Sequence, residues 1–233
     1  MCDKIVTDPI AASVLREMHE LFKPGTFDWD FNLPGMVIAE NDYSDALEIV
    51  DGNLVGLDIG FYPLQKINGR LWIHGLKHLK TIKIYNTGYS PLSRPSLVVS
   101  LEGLPVLEEL DLQNVEIYWD FSLAMFKRLK KLSVTLSGMH DIKFLETMTQ
   151  LTHLDLTANE IIDIDCLRGL TRLVELKLGN NNIRDIGPLA TLIKLSNLEL
   201  FGNEVDDISP LASLPALATL DNEKIKSLKS NSD

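Results

Sequence analysis

The chain has 233 residues, 45% hydrophobic and 24% charged, which is the composition of a folded globular protein, and its formal net charge is −11. Acidity of that size argues against nucleic acid, whose phosphates call for clustered Lys and Arg, and no apolar run approaches the ~18 residues of a membrane span. Two cysteines, Cys2 and Cys166, and no apolar stretch after a basic start in MCDKIVTDPIAAS lead us to expect a reducing cytoplasm and no disulfide.

Residues 8–23 read as an amphipathic helix. Thr7 or Asp8 can cap it, Pro9 suits the first turn, and Pro24-Gly25 stops it. Ile10, Val14, Leu15, Met18, Leu21 and Phe22 form one apolar stripe, opposite a face without a basic cluster, so we expect a cap over the open end of the following structure rather than a membrane-surface helix. Phe27, Trp29, Phe31 and Leu33 then alternate with Asp28, Asp30 and Asn32, either as cap core or as an aromatic recognition patch. Val37-Ile38, 46–50 and 53–59 read as strands, the last two joined as a hairpin by Asp51-Gly52. The boundary is placed so that 1–53 is an N-terminal cap, 54–222 a repeat array and 223–233 a polar tail.

One pattern organises the rest. LTHLDLTANEIIDIDCLRGL, LVELKLGNNNIRDIGPLATL and LSNLELFGNEVDDISPLASL begin at Leu151, Leu173 and Leu195, steps of 22 residues. Leucines recur at offsets 0, 3 and 5, and Asn159, Asn181 and Asn203 stand at offset 8. Alternation such as Leu154-Asp155-Leu156 is the period of a half-buried strand. One such strand cannot bury its face alone, but stacked copies share a core. The Asn amide can bond backbone groups where the chain turns inward. Columns led by Ile161, Ile164 and Leu167 close the core from the far side, and Pro188 and Pro210, with Cys166 in their column, stiffen the return turn. Matches begin upstream at Leu54, Leu79, Leu107 and Leu129, with longer steps of 25 and 28 after Leu54 and Leu79, the second around the proline-broken loop 89–96. Tyr62, Thr87, Val115 and Ser137 replace Asn there, so those units should be less regular; Leu217 and Leu220 open a unit that stops early.

LxxLxLxxN resembles the leucine-rich repeat family over about 54–222, and the short units with Asp-Ile-x-Pro-Leu resemble its phosphatase-regulator and internalin type. The resemblance implies an α/β solenoid: a leucine-rich repeat horseshoe with a parallel β-sheet on the concave face, short convex 3₁₀ turns, an Asn ladder, and a role in protein recognition.

No phosphate-binding loop, nucleophile elbow or zinc-protease motif is present. His74 and His78 are four apart, but Gly75 and Leu76 place them in a convex turn, and the turn carboxylates Asp163, Asp165, Asp185, Asp206 and Asp207 read as solvated groups rather than a calcium loop. We therefore expect no enzyme, no cofactor and no metal. Trp119, with Tyr118 and Phe121, reads as local core. What remains is a surface of strand residues between the leucines. From it we single out Tyr85, Asp111, Lys131, His153, Asp155, Glu175, Lys177, Glu199 and Phe201 as partner-binding. Aromatics are unnecessary at solvent-facing strand positions and typical of interfaces, although Tyr85 and Phe201 could equally pack sideways on a neighbour. The expected function is a non-catalytic interaction module for a protein partner, a basic one being favoured by the charge. Two alternatives stay open: an inhibitor or immunity-type protein neutralising one basic target, and a regulatory subunit of an enzyme such as a phosphatase. Self-association through the strand edge at Leu220 is a further expectation.

Overall fold

A computed structural model of the chain describes residues 4–6, 9–10, 36–38, 47–50, 53–61, 69–86, 97–117 and 126–220. Two compact units divide it at Phe121/Ser122. Of the expected cap helix only residues 9 and 10, which are helical, are described. The aromatic stretch 27–33, the loop 89–96, Trp119 with its neighbours and the tail 223–233 lie outside the described residues. Among the described residues no helix is long and apolar enough to cross a membrane.

In the first unit, β1 (Lys4–Val6) pairs antiparallel with β2 (Met36–Ile38), a pairing the sequence did not suggest. The expected hairpin is present as β3 (Leu47–Val50) and β4 (Asn53–Phe61), with a register shift between Glu48 and Ile49. β4 continues in parallel to β6 (Thr81–Asn86) and β8 (Glu109–Gln113). A second parallel sheet, β5 (Gly69–His74), β7 (Leu97–Glu102) and β9 (Glu116–Ile117), alternates with the first along the chain. This corrects one expectation: His74 ends a strand rather than sitting in a turn. The steps of 25 and 28 residues explain it, because the extra residues leave room for a six-residue extended segment where a 22-residue coil must turn tightly. Leu57, Ile73, Leu76, Ile82, Leu104 and Leu110 are among the buried side chains of this unit.

The second unit is the regular one. Strands β10 (Lys131–Thr135), β11 (His153–Asp155), β12 (Glu175–Lys177), β13 (Asn197–Glu199) and β14 (Thr219–Leu220) pair in parallel, with partners 22 residues apart throughout. On the return side of the coil lie 3₁₀ turns at Lys143–Thr147, Asp165–Gly169, Gly187–Thr191 and Ser209–Ser213. Leucines from the strands and Leu145, Leu167, Leu189 and Leu211 from the turns meet in one buried core. Ile208, whose column is otherwise buried, is only half-buried.

Two backbone devices hold successive coils in step. The first is the Asn ladder. Asn181 donates to Leu156 O (3.0 Å) in the preceding coil and Leu178 O (2.9 Å) in its own, while its Oδ1 accepts the Ile161 N–H (3.0 Å). Asn159 and Asn203 repeat the arrangement, Asn159 on Val134 O and Leu156 O, Asn203 on Leu178 O and Leu200 O. The second is a column of left-handed residues at the position before the ladder: Asn114, Leu136, Ala158, Asn180 and Gly202, with φ between 53° and 67°. That turn is what aims the next side chain inward. At Gly202 glycine is needed twice over, since a Cβ there would strike the Asn180 side chain.

The turn carboxylates have a local structural task. Asp141, Asp163, Asp185 and Asp207, again 22 apart, accept the N–H two residues on at 3.0, 2.8, 2.7 and 2.8 Å and so set up each 3₁₀ turn. Among the described residues no cluster of His, Cys, Asp and Glu could hold a metal ion.

Candidate functional site: the strand face

The strands β10, β11, β12 and β13 each bury their leucine and leave the flanking residues half-exposed or exposed on one face. Parallel pairing without slippage turns those positions into columns. Lys131, His153, Glu175 and Asn197 make one, and Ser133, Asp155, Lys177 and Glu199 the next. The structure thus brings Lys131, His153, Asp155, Glu175, Lys177 and Glu199 onto one face, as their spacing predicts.

Their pairing is the part that the sequence does not show. Lys177 Nζ lies 3.3 Å from Glu175 Oε1 and 3.5 Å from Glu199 Oε1, bridging a carboxylate of its own strand and one of the next. Partial burial pulls the Lys177 pKa downward, but the hydrogen bond it donates to Glu175 and the charges of Glu199, Glu175 and Asp155 outweigh it and hold its pKa above the ordinary lysine value. That stabilisation is present below the ordinary lysine range and is lost only as pH rises through the raised value. Asp155 Oδ1 accepts the Thr157 N–H at 2.9 Å. His153 Nδ1 is 2.9 Å from Thr152 Oγ1, which donates to Lys130 O at 3.1 Å.

Both aromatics make the sideways contact. The Phe201 ring lies over Gly179, close enough that a Cβ on Gly179 would overlap it. In the first unit, Tyr85 stands beside Gly60 in register and donates its hydroxyl to Asp58 Oδ1 at 2.6 Å. Both rings remain half-exposed. The signal was available: in each case a glycine occupies the same column one strand earlier, and a ring covers such a gap well. Asp111 lies on the face of β8, half-buried, and Lys83 Nζ approaches Glu109 Oε1 at 3.9 Å on the same sheet.

Away from this face, Asp141, Ile142, Asp163 and Cys166 help line a groove of about 480 Å³ on the turn side. Cys166, a free cysteine, donates its thiol to Ile142 O at 3.3 Å. Burial, then the charge of Asp163, pushes its pKa up to about 11, so it is no nucleophile near neutrality.

A leucine-rich repeat family model matches residues 149–191 and again 171–213, the stretch where the ladder is complete. Internalin C2 of Listeria monocytogenes is similar in structure, at 21% identity over 93% of this chain and 96% of that one, with a TM-score of 0.55. A second internalin of that organism matches at 22% identity over 94% and 76%, with a TM-score of 0.38. A leucine-rich-repeat protein of Leptospira interrogans matches at 23% over 63% and 37%, with a TM-score of 0.49. No curated protein matches the sequence. Residues 149–213 thus match leucine-rich repeats, and the chain has an internalin-like solenoid fold: parallel strands on one side of the coil and 3₁₀ turns on the other. Domains of this kind are typically protein-interaction modules and usually non-catalytic.

Proposed function

We propose that the chain is a non-catalytic recognition module that takes a protein partner on its strand face. One observation carries this reading. In the second unit the outward strand residues are held in strict register, in columns one coil apart, with the half-exposed Phe201 ring already seated on Gly179. A surface ordered before the partner arrives loses little freedom on binding. Phe201 is the apolar contact of the site, and Lys131, His153, Asp155 and the Glu175–Lys177–Glu199 bridge supply its polar groups on the same face; Tyr85 and Asp111 offer similar chemistry in the first unit. Because Lys177 occupies two of the carboxylates, Asp155 and Asp111 are the acidic groups most readily given to a partner, and the net charge of −11 favours a basic one in the cytoplasm.

Affinity capture at low and high salt tests the reading, comparing the parent chain with Phe201→Ala, with Asp155→Lys, and with Ile162→Ser on the turn side. Capture of one protein lost in the first two and kept in the third is expected; loss only in the third would move the site to the turns.

A further inference from the structure

The second unit segregates its charge across the coil. Loops leaving the strands, 137–143, 159–165, 181–187 and 203–209, hold eight Asp and Glu against two Lys and Arg. Loops entering the strands, 126–130, 148–152, 170–174, 192–196 and 214–218, hold five Lys and Arg and no acid. All of these charged residues are exposed. A strand separates the two kinds of loop in every coil, so the acidic and basic rows run along opposite edges of the strand ribbon. Some of the acidic row is neutralised internally: Arg184 Nε bonds Glu204 Oε2 at 2.7 Å, and Arg168 Nη2 pairs with Asp165 at 3.1 Å.

The pitch is the informative feature. Arg128, Arg172 and Lys194 share one repeat position, held by Gln150 in the coil between the first two, while Asp141, Asp163, Asp185 and Asp207 share another in four successive coils, and strands at this register stack ~4.8 Å apart. A generic basic or acidic protein has no reason to carry charges at that interval. A second copy of this chain carries both rows at multiples of that one interval, with opposite sign. We infer that the basic edge of one copy docks side by side and in parallel on the acidic edge of another. The contact is heterologous, so it propagates into open rows rather than closing as a two-fold dimer. The overall charge of −11 opposes association at long range, whereas the edges attract at contact; salt weakens both, and the short-range term decides.

Sedimentation velocity of the full chain over a range of concentrations tests this, near 0.01 M salt, where the screening length is ~30 Å, and near 1 M, where it is ~3 Å. The expected result is a mean mass that grows with concentration at low salt and returns to that of one chain at high salt. Glu160→Lys, Asp165→Lys, Glu204→Lys and Asp206→Lys together, which spare the four Asp side chains that shape the turns, leave four acids against six bases on that edge and so give two basic edges. Arg128→Glu, Arg172→Glu and Lys194→Glu together leave two bases against three acids on the other edge and so give two acidic ones. Each variant alone should stay monomeric at low salt, and an equimolar mixture should associate again. Circular dichroism confirms that both are folded. A parent chain that is monomeric in all conditions, association indifferent to salt, or a mixture that fails to associate would each overturn the inference, the second in favour of the strand edge at Leu220.

Discussion

Asn181 shows what a single side chain does in this architecture. It is 5% exposed and bridges two coils through both ends of its amide. Replacing it with Ala leaves two carbonyls and an N–H without these partners inside the coil, at a cost of about 3 kcal/mol. The check is chemical denaturation of Asn181→Ala beside Asn182→Ala, whose neighbouring side chain is exposed and whose loss should cost little. The ladder was legible because the amide recurs at one offset. The left-handed column beside it was not: Asn, Leu, Ala, Asn and Gly share a backbone conformation there and no side-chain property. Cys166 makes the opposite case, a residue whose chemistry depends on its surroundings. With its pKa near 11, roughly a thousandth of the thiol is ionised at pH 8. Alkylation at Cys166 of the folded chain, read residue by residue so that Cys2 is counted apart, should therefore be about a hundred times slower at pH 8 than that of a thiol titrating at 9.0, and should recover in denaturant. Fast modification of the native protein near neutrality would contradict the burial.

At the scale of elements, the 22-residue unit is written plainly because one coil repeats the same chemistry: alternating leucines for the strand, an amide for the inward turn, and an Asp two residues before the N–H it accepts for the 3₁₀ turn. Asp207 illustrates the last, its pKa drawn below the ordinary value first by the Ser209 N–H and then by the Ser209 hydroxyl. That contribution is complete above the ordinary carboxylate range and disappears as pH falls through the depressed value. Legibility fails where the step lengthens. Gly69–His74 and Leu97–Glu102 alternate like any strand, but their pairing with each other depends on segments 28 residues apart, which the tight-turn pattern of later units does not suggest. The face was legible as a set of columns, yet its pairings were not, since Lys177 selects both glutamates through three-dimensional proximity. The seat of Phe201 gives an element-level prediction. Gly179→Ala pushes against the ring and should cost about 1 kcal/mol, at the low end for overpacking because the ring is half-exposed. In a Phe201→Ala background that cost should vanish, and a double-mutant cycle of unfolding free energies reads the coupling. Additive effects would mean that the ring is not seated where the structure places it.

For the whole molecule, the division of labour is between a core made of repeated leucines and a surface on which each coil contributes one or two variable residues. Such a solenoid can change partner without changing fold, so the architecture is readable and the partner's identity is not. The most direct measurement of the central claim is side-chain oxidative footprinting of the chain alone and bound to its captured partner. The account predicts protection of Phe201 and His153 on the strand face, with Ile162 and Ile193 on the turn side unchanged. Protection of Ile162 and Ile193, with Phe201 and His153 unaffected, would contradict it.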